Sequence, residues 1–132
     1  MEIYLDSDIL IDFLRGEKET VSIVGKLEEG YDLATTSINL FELYFGAYKT
    51  GRAGNIRAVD ELAERLEISD LTKKSAMISA KIIAELESAG KAIDVRDALI
   101  AGVVVENKAS LLTKNTKHFS RISQLRLFEM EM

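Results

Sequence analysis

The sequence contains no cysteine, a single histidine and no long hydrophobic segment, and each absence excludes a class of protein. Without cysteine the chain has neither disulfides nor a thiolate metal site. A lone imidazole, His118, makes a histidine-rich zinc site or a Ser-His-Asp triad fragile. No apolar run approaches the roughly 20 residues that a membrane helix requires, and the N-terminus has no basic-then-apolar signal segment. These features predict a cytoplasmic protein without membrane association.

The composition is that of a folded domain. The chain has 132 residues, of which 47% are hydrophobic and 30% charged, and this length predicts a single domain over residues 1–132. The net charge of −5 argues against a nucleic-acid partner. However, residues 107–128 contain no acid, and their basic side chains are Lys108, Lys114, Lys117, Arg121 and Arg126. This local charge leaves a nucleic-acid partner open.

Short strands alternate with helices along the chain. Strands are predicted at residues 3–5, 31–36, 66–68, 110–113 and 126–129. Helices are predicted from Ile9 onward, over residues 17–29, 38–49 and 55–66, from Asp70 or Thr72 to Ala89, and over residues 94–105. The predicted caps are Ser7 or Asp8 for the first helix, Ser37 for the third, and Gly30 at the end of the second. This alternation predicts an α/β/α sandwich with a short, mainly parallel sheet of four to five strands.

Four polar side chains follow predicted strands or open predicted helices: Asp6, Glu42, Asp97 and Asn115. In a parallel sheet with right-handed crossovers these positions converge on the carboxyl edge. Three carboxylates and an amide oxygen suit Mg²⁺ or Mn²⁺ and not zinc or copper. Each of the three acids also has a structural explanation, because Asp6 could cap a helix, Asp94 and Asp97 resemble a capping box, and Glu42 could be solvated.

The chain resembles PIN-domain proteins, specifically the VapC-type toxins of toxin–antitoxin pairs. The stretches that carry the resemblance are residues 5–11 (LDSDILI), 36–46 (TSINLFELYFG), 97–101 (DALIA) and 111–119 (LLTKNTKHF), followed by Ile122 and residues 125–127 (LRL). Each motif alone is weak, but their order and spacing in 132 residues make the combination specific. The resemblance implies a Mg²⁺- or Mn²⁺-dependent endoribonuclease with a VapB-type antitoxin as partner.

The resemblance also implies which residues form the metal centre. Asp6, Glu42 and Asp97 are the implied acidic ligands, with Asn115 as a further catalytic residue. The bound ion would polarise the scissile phosphate and lower the pKa of an attacking water. Asn115 stands where many family members have a fourth Asp, so a second ion would be held less tightly.

Accessory residues surround this implied centre. Asp8 stands where Asn is usual and adds an acid, and Thr113 is expected to hydrogen-bond Asp6 or the attacking water. Lys114, Lys117 and Arg121 are candidates for RNA binding. An extended rim that contacts the RNA backbone would include Arg15, Arg52, Lys73, Lys74 and Arg96.

The third predicted helix, residues 38–49, has apolar residues nearly all round. A domain of this size covers one such face with its own sheet, so the other would form an exposed apolar patch. Phe41, Phe45 and Tyr48 form one stripe of this helix. The sequence therefore predicts a homodimer built on residues 38–49 and 55–66, and the resemblance to VapC toxins points the same way.

Three other functions remain open at this stage. A phosphotransfer enzyme of the haloacid-dehalogenase type also places Asp-x-Asp after its first strand, but Leu10 replaces its usual Thr or Val and the chain is short for that fold and its cap. A response-regulator receiver has a similar length and a Lys after a late strand, as Lys114 could be. A non-catalytic PIN-fold binding module would keep the fold and lose the activity.

Overall fold

The computed structural model describes residues 1–129, in which one parallel sheet lies between two layers of helices. The strands are β1 (Glu2–Leu5), β2 (Asp32–Thr36), β3 (Glu67–Ser69), β4 (Ser110–Leu112) and β5 (Arg126–Leu127). The helices are α1 (Ser7–Leu14), α2 (Lys18–Gly30), α3 (Ser37–Thr50), α4 (Ala53–Arg65), α5 (Lys73–Ser88), α6 (Val95–Glu106) and α7 (Thr116–Phe119). Residues 130–132 of the predicted domain lie outside the described residues.

The five strands are ordered β3-β2-β1-β4-β5, and all neighbouring pairs are parallel. Ile3 of β1 is in register with Leu33 of β2 on one side and with Ser110 of β4 on the other. The predicted α/β sandwich is therefore confirmed. The order also differs from the 2-1-3-4-5 arrangement of receiver domains, which removes that alternative.

The core has one apolar cluster on each face of the sheet, because successive strand residues point to opposite faces. Tyr4 packs with residues of α5 and α6 on one face, whereas Ile3 and Leu5 pack with residues of α1, α2, α3 and α4 on the other. Since both faces are covered, Ile3, Tyr4 and Leu5 of the central strand are buried apolar residues in succession. In the described part of the chain, no helix has the length and hydrophobicity needed to cross a membrane.

Three predicted caps are wrong, and two of the errors matter for the site. The N-cap of α1 is Asp6 instead of Ser7 or Asp8, so the structural alternative stated for Asp6 is confirmed. The N-cap of α3 is Thr36 instead of Ser37. Gly30 lies inside α2, whose cap is Tyr31. At both N-termini the residue at the end of the strand keeps an extended backbone and accepts the free amides itself. The chain consequently passes from strand to helix without a loop, which fixes the direction of the Asp6 side chain.

Candidate active site

The three acids predicted from the sequence lie at the carboxyl edge of the sheet. Asp6 follows the central strand β1, Glu42 lies on α3 after β2, and Asp97 lies in the first turn of α6. Asp6 and Asp97 are 8% and 5% exposed, and Glu42 is partly buried. Acids as buried as these need compensating partners, so the groups around them define what the site can do.

Asp6 is held by three donors from different parts of the chain. Its Oδ1 accepts from the Ser7 amide at 2.9 Å and from Asn39 Nδ2 at 2.9 Å. Its Oδ2 accepts from the Thr113 hydroxyl at 2.7 Å, so the hydrogen bond predicted between Thr113 and Asp6 is confirmed. These contacts fix the Asp6 carboxylate in one orientation at the end of β1.

Asn39 links the acids through a buried polar network that sequence reasoning missed. The Thr36 hydroxyl donates to Asn39 Oδ1 at 2.7 Å, and Asn39 Nδ2 also donates to Ser7 Oγ at 2.9 Å. Ser7 Oγ in turn donates to Glu42 Oε1 at 2.8 Å. The signal in the sequence was an amide one helical turn before Glu42 in an otherwise apolar helix, because such a residue faces inward only with partners.

Arg96 contributes a cation to the same site. Its Nη1 lies 2.5 Å from Glu42 Oε2 and its Nη2 lies 3.6 Å from Asp97 Oδ1. The sequence predicts Arg96 only as part of a general basic rim, because adjacency to Asp97 says nothing about the direction of a long side chain. In the structure it bridges α6 and α3 instead.

Burial and like charges raise the pKa values of two acids in this region. Burial raises the pKa of Asp97, and the charge of Asp6 raises it further against the opposing guanidinium of Arg96. Burial and the charge of Asp6 also raise the pKa of Asp8, although main-chain amides of Lys114 and Ile9 oppose this by donating to its carboxylate. Both shifts mean that the region favours an added positive charge.

Asn115 reaches the same edge, but its side chain is directed toward His118. The Asn115 Oδ1 accepts from His118 Nδ1 at 2.6 Å, and its main-chain amide donates to Thr113 Oγ1 at 3.0 Å. The structure therefore places Asn115 next to the residue that holds Asp6. Among residues 1–129, the Asn115 side chain forms no hydrogen bond with a carboxylate.

The three basic candidates for RNA binding differ in whether their side chains are already engaged by other groups of the protein. Lys117 is exposed, whereas Arg121 donates to the carbonyl of Ala92 at 2.7 Å. The ammonium of Lys114 is paired with Asp12, so its charge is partly neutralised. Lys117 is the basic side chain of this group best placed to meet a phosphate.

The oxygen donors suit a hard divalent cation, but they do not form a ready-made site. Between residues 1 and 129, no three carboxylate or imidazole groups stand together in a geometry that would hold a metal ion. Both carboxylate oxygens of Glu42 are also engaged already, by Ser7 and Arg96. Asp6, Glu42 and Asp97 have the right chemistry for Mg²⁺ or Mn²⁺, provided that Arg96 releases Glu42.

Comparison with known proteins connects this geometry to a family. The family model described as PIN domain matches residues 3–125. The tRNA(fMet)-specific endonuclease VapC of Shigella flexneri is 27% identical over 127 residues, which cover 96% of either chain. Ribonuclease VapC2 of Rickettsia felis is 35% identical over 100 residues, or 75% of either chain.

Solved structures agree with the sequence matches. The structure of VapBC2 from Rickettsia felis bound to a promoter DNA fragment superposes with a TM-score of 0.90 at 29% identity, covering 99% of this chain and 100% of that one. DNA-bound VapBC from Salmonella typhimurium gives a TM-score of 0.88 at 27% identity and covers 97% of both chains.

Proposed function

The chain belongs to the PIN-domain family and is a ribonuclease of the VapC type, and we propose that it hydrolyses RNA phosphodiester bonds at a divalent-metal centre. Asp6, Glu42 and Asp97 are the proposed metal ligands. The observation that supports this assignment is the burial of Asp6 and Asp97 at the carboxyl edge of the sheet. We propose one domain over residues 1–132 and action in the cytoplasm.

The chain's own residues have separate tasks in this proposal. Asp6 and Asp97 supply carboxylate oxygens, while Thr113 and Asn39 hold Asp6 in place. Asn115 orients the substrate or water beside them. The bound Mg²⁺ or Mn²⁺ would activate the water and stabilise the leaving oxygen. The protein needs no nucleophilic side chain of its own, which agrees with a chain that has no cysteine and one histidine.

RNA cleavage by the purified protein tests this proposal, and tRNA is the first substrate to try because the Shigella flexneri relative is named for it. We expect cleavage with Mg²⁺ or Mn²⁺, loss of cleavage in excess EDTA, and no cleavage by the Asp6→Asn variant. A non-catalytic PIN module would bind RNA without cutting it. Equal cleavage by a folded Asp6→Asn protein would contradict the proposed centre.

A VapB-type antitoxin is the proposed protein partner, as in the VapBC complexes that this fold matches. A groove of about 310 Å³ between α1, α3 and α4 is lined by Ile11, Leu14 and Leu43 and reaches Glu42. An apolar antitoxin segment in this groove would end beside the acids and block them. Cleavage should therefore stop when one equivalent of the cognate antitoxin is added.

We further propose a homodimer through residues 38–49 and 55–66. Phe41, Phe45 and Tyr48 are 67%, 57% and 63% exposed, so the chain's own helices leave this stripe of α3 uncovered. A two-fold contact would bury the stripe against itself. Light scattering at micromolar concentration should report a dimer, and Phe45→Glu should shift the mass toward the monomer. A wild-type monomer at that concentration would contradict the dimer.

A further inference from the structure

Arg96 lies between two of the acids proposed as metal ligands. Its guanidinium is 2.5 Å from Glu42 and 3.6 Å from Asp97. Among the ion pairs of residues 1–129, Arg96 is the one cation that contacts Asp6, Glu42 or Asp97. Its position is that of a positive charge placed where the acids would otherwise repel each other.

The contact with Glu42 also determines what this carboxylate is free to do. Glu42 Oε1 accepts from Ser7 Oγ at 2.8 Å while Oε2 accepts from Arg96 Nη1 at 2.5 Å. Both oxygens are thus occupied by groups of the protein itself. A divalent ion that uses Glu42 as a ligand must take at least one oxygen from these donors, and Arg96 is the charged one of the two.

The ion pair between Arg96 and Glu42 can break at low cost. Its side chain is 50% exposed, so water can solvate the guanidinium as soon as it leaves Glu42. Exposed ion pairs are weak because water and salt screen them. The main chain of Arg96 stays fixed meanwhile, since its amide donates to Asp94 Oδ1 at 2.8 Å at the start of α6. Release therefore requires a side-chain rotation and no movement of the helix.

We propose that Arg96 is the internal counter-ion of the metal-free centre and that it competes with the divalent ion for Glu42. This inference rests on the proposed metal centre. An arginine side chain remains charged at any pH at which the protein works, so the competition is constant. Arg96 consequently raises the metal concentration that the centre needs, and it holds Glu42 near the other acids until the ion arrives.

The test compares Mn²⁺ binding to the wild-type protein and to Arg96→Gln by calorimetry at neutral pH and low salt. Removal of a positive charge next to a divalent ion should lower the Kd for Mn²⁺ about tenfold. Arg96→Lys, which keeps the charge, should stay close to the wild-type Kd. Arg126→Gln is the matched control, because it also removes one arginine charge but lies away from the acids. Arg126 is on β5, in register with Ser110 at the start of β4, whereas Thr113 follows the end of β4. Its Kd should equal that of the wild type.

Melting temperatures provide a second readout that does not depend on activity. Without metal, Arg96→Gln should melt below the wild type because the acids lose their cation. With saturating Mn²⁺ the two proteins should melt closer together, since the ion then replaces the guanidinium. A purely structural role for Arg96 would lower both melting temperatures equally.

The results distinguish failure of the counter-ion role of Arg96 from failure of the proposed metal centre. An unchanged or higher Kd in folded Arg96→Gln, with normal binding by the wild type, would overturn the counter-ion role and leave the metal centre standing. Binding by Arg96→Gln alone would support the competition strongly. Absence of Mn²⁺ binding in both proteins would overturn the metal centre, and the role of Arg96 with it.

Discussion

Acids collect at both ends of the sheet, but the two clusters differ in their surroundings. At the amino ends of the strands, Glu2, Asp32 and Glu67 form one group, and Glu2 has a raised pKa because of burial, a hydrogen bond with Glu67 and the charges of its neighbours. At the carboxyl ends, Asp97 also has a raised pKa through burial and the charge of Asp6. A raised carboxyl pKa therefore does not by itself distinguish an active site.

What separates the two clusters is the set of donors built around one of them. At the carboxyl edge, Asn39, Ser7 and Thr113 hold Asp6 and Glu42 from three parts of the chain, and Asp6 and Asp97 are buried. At the amino edge, Asp32 and Glu67 are exposed, and in the described part of the chain no Asn, Ser, Thr or Arg side chain bonds to them. Buried acids that accept hydrogen bonds from several side chains therefore distinguish the carboxyl edge from the exposed, solvated acids of the amino edge.

The largest expected contrast is in activity. Asp97→Asn removes a proposed ligand from the carboxyl edge and should lower RNA cleavage about a thousandfold or more, because the bound ion contributes several kcal/mol to catalysis. Asp32→Asn makes the same chemical change at the amino edge and should leave the cleavage rate unchanged. Rates of RNA cleavage with saturating Mg²⁺ measure both. Equal losses in the two folded variants would remove the distinction between the clusters.

The next contrast concerns the donors. Asn39→Ala removes the side-chain amide that donates to Asp6 Oδ1 and Ser7 Oγ. Cleavage should fall about 10- to 100-fold, as for other residues that orient metal ligands. Thr35→Val is the control, because Thr35 is equally buried but donates to the main-chain carbonyl of Leu5. Both variants should lose about 1–3 kcal/mol of unfolding free energy. Only Asn39→Ala should also lose activity beyond what its folded fraction explains, and normal activity there would show that the network is purely structural.

The smallest expected effect is on stability and depends on pH. Asp8 has a pKa raised from 3.8 by burial and by the charge of Asp6. The folded state therefore holds this proton more tightly than the unfolded state, and stability falls as the pH rises from 3.8 through the raised value. Asp8→Asn cannot ionise, so it removes this loss of folding stability. It also keeps a side-chain acceptor for the main-chain amide of Lys114. The metal-free variant should melt about 2 °C above the wild type at pH 7.

At about pH 3, below the ordinary Asp pKa of 3.8, the same comparison should show little difference, because Asp8 is then mostly protonated in both states. Asp70→Asn removes an exposed acid of the same type and should change the melting temperature at neither pH. A constant advantage of Asp8→Asn across this pH range would point to packing instead of charge as its cause.

The sequence predicted that Asp6 and Asp97 lie at one edge of the sheet, because their positions follow from chain topology. Asp6 ends the central strand, and Asp97 opens a helix, so parallel strands alone carry both to one edge. The caps of α1 and α3 were displaced by one or two residues because consecutive polar residues compete for the same amides, and their local chemistry is nearly equivalent. Asn39 was missed, and Arg96 was predicted only as part of the basic rim. Their partners lie 33 and 54 residues away, and such pairings depend on packing that local patterns do not contain.

Mn²⁺ titration of the wild type and of Asp6→Asn at pH 7, followed by calorimetry, tests the central claim most directly. If Asp6, Glu42 and Asp97 form the metal centre, the wild type binds Mn²⁺ and the folded Asp6→Asn variant loses this binding. Equal Mn²⁺ affinity in the two proteins would contradict the assignment of Asp6 and the metal centre built around it.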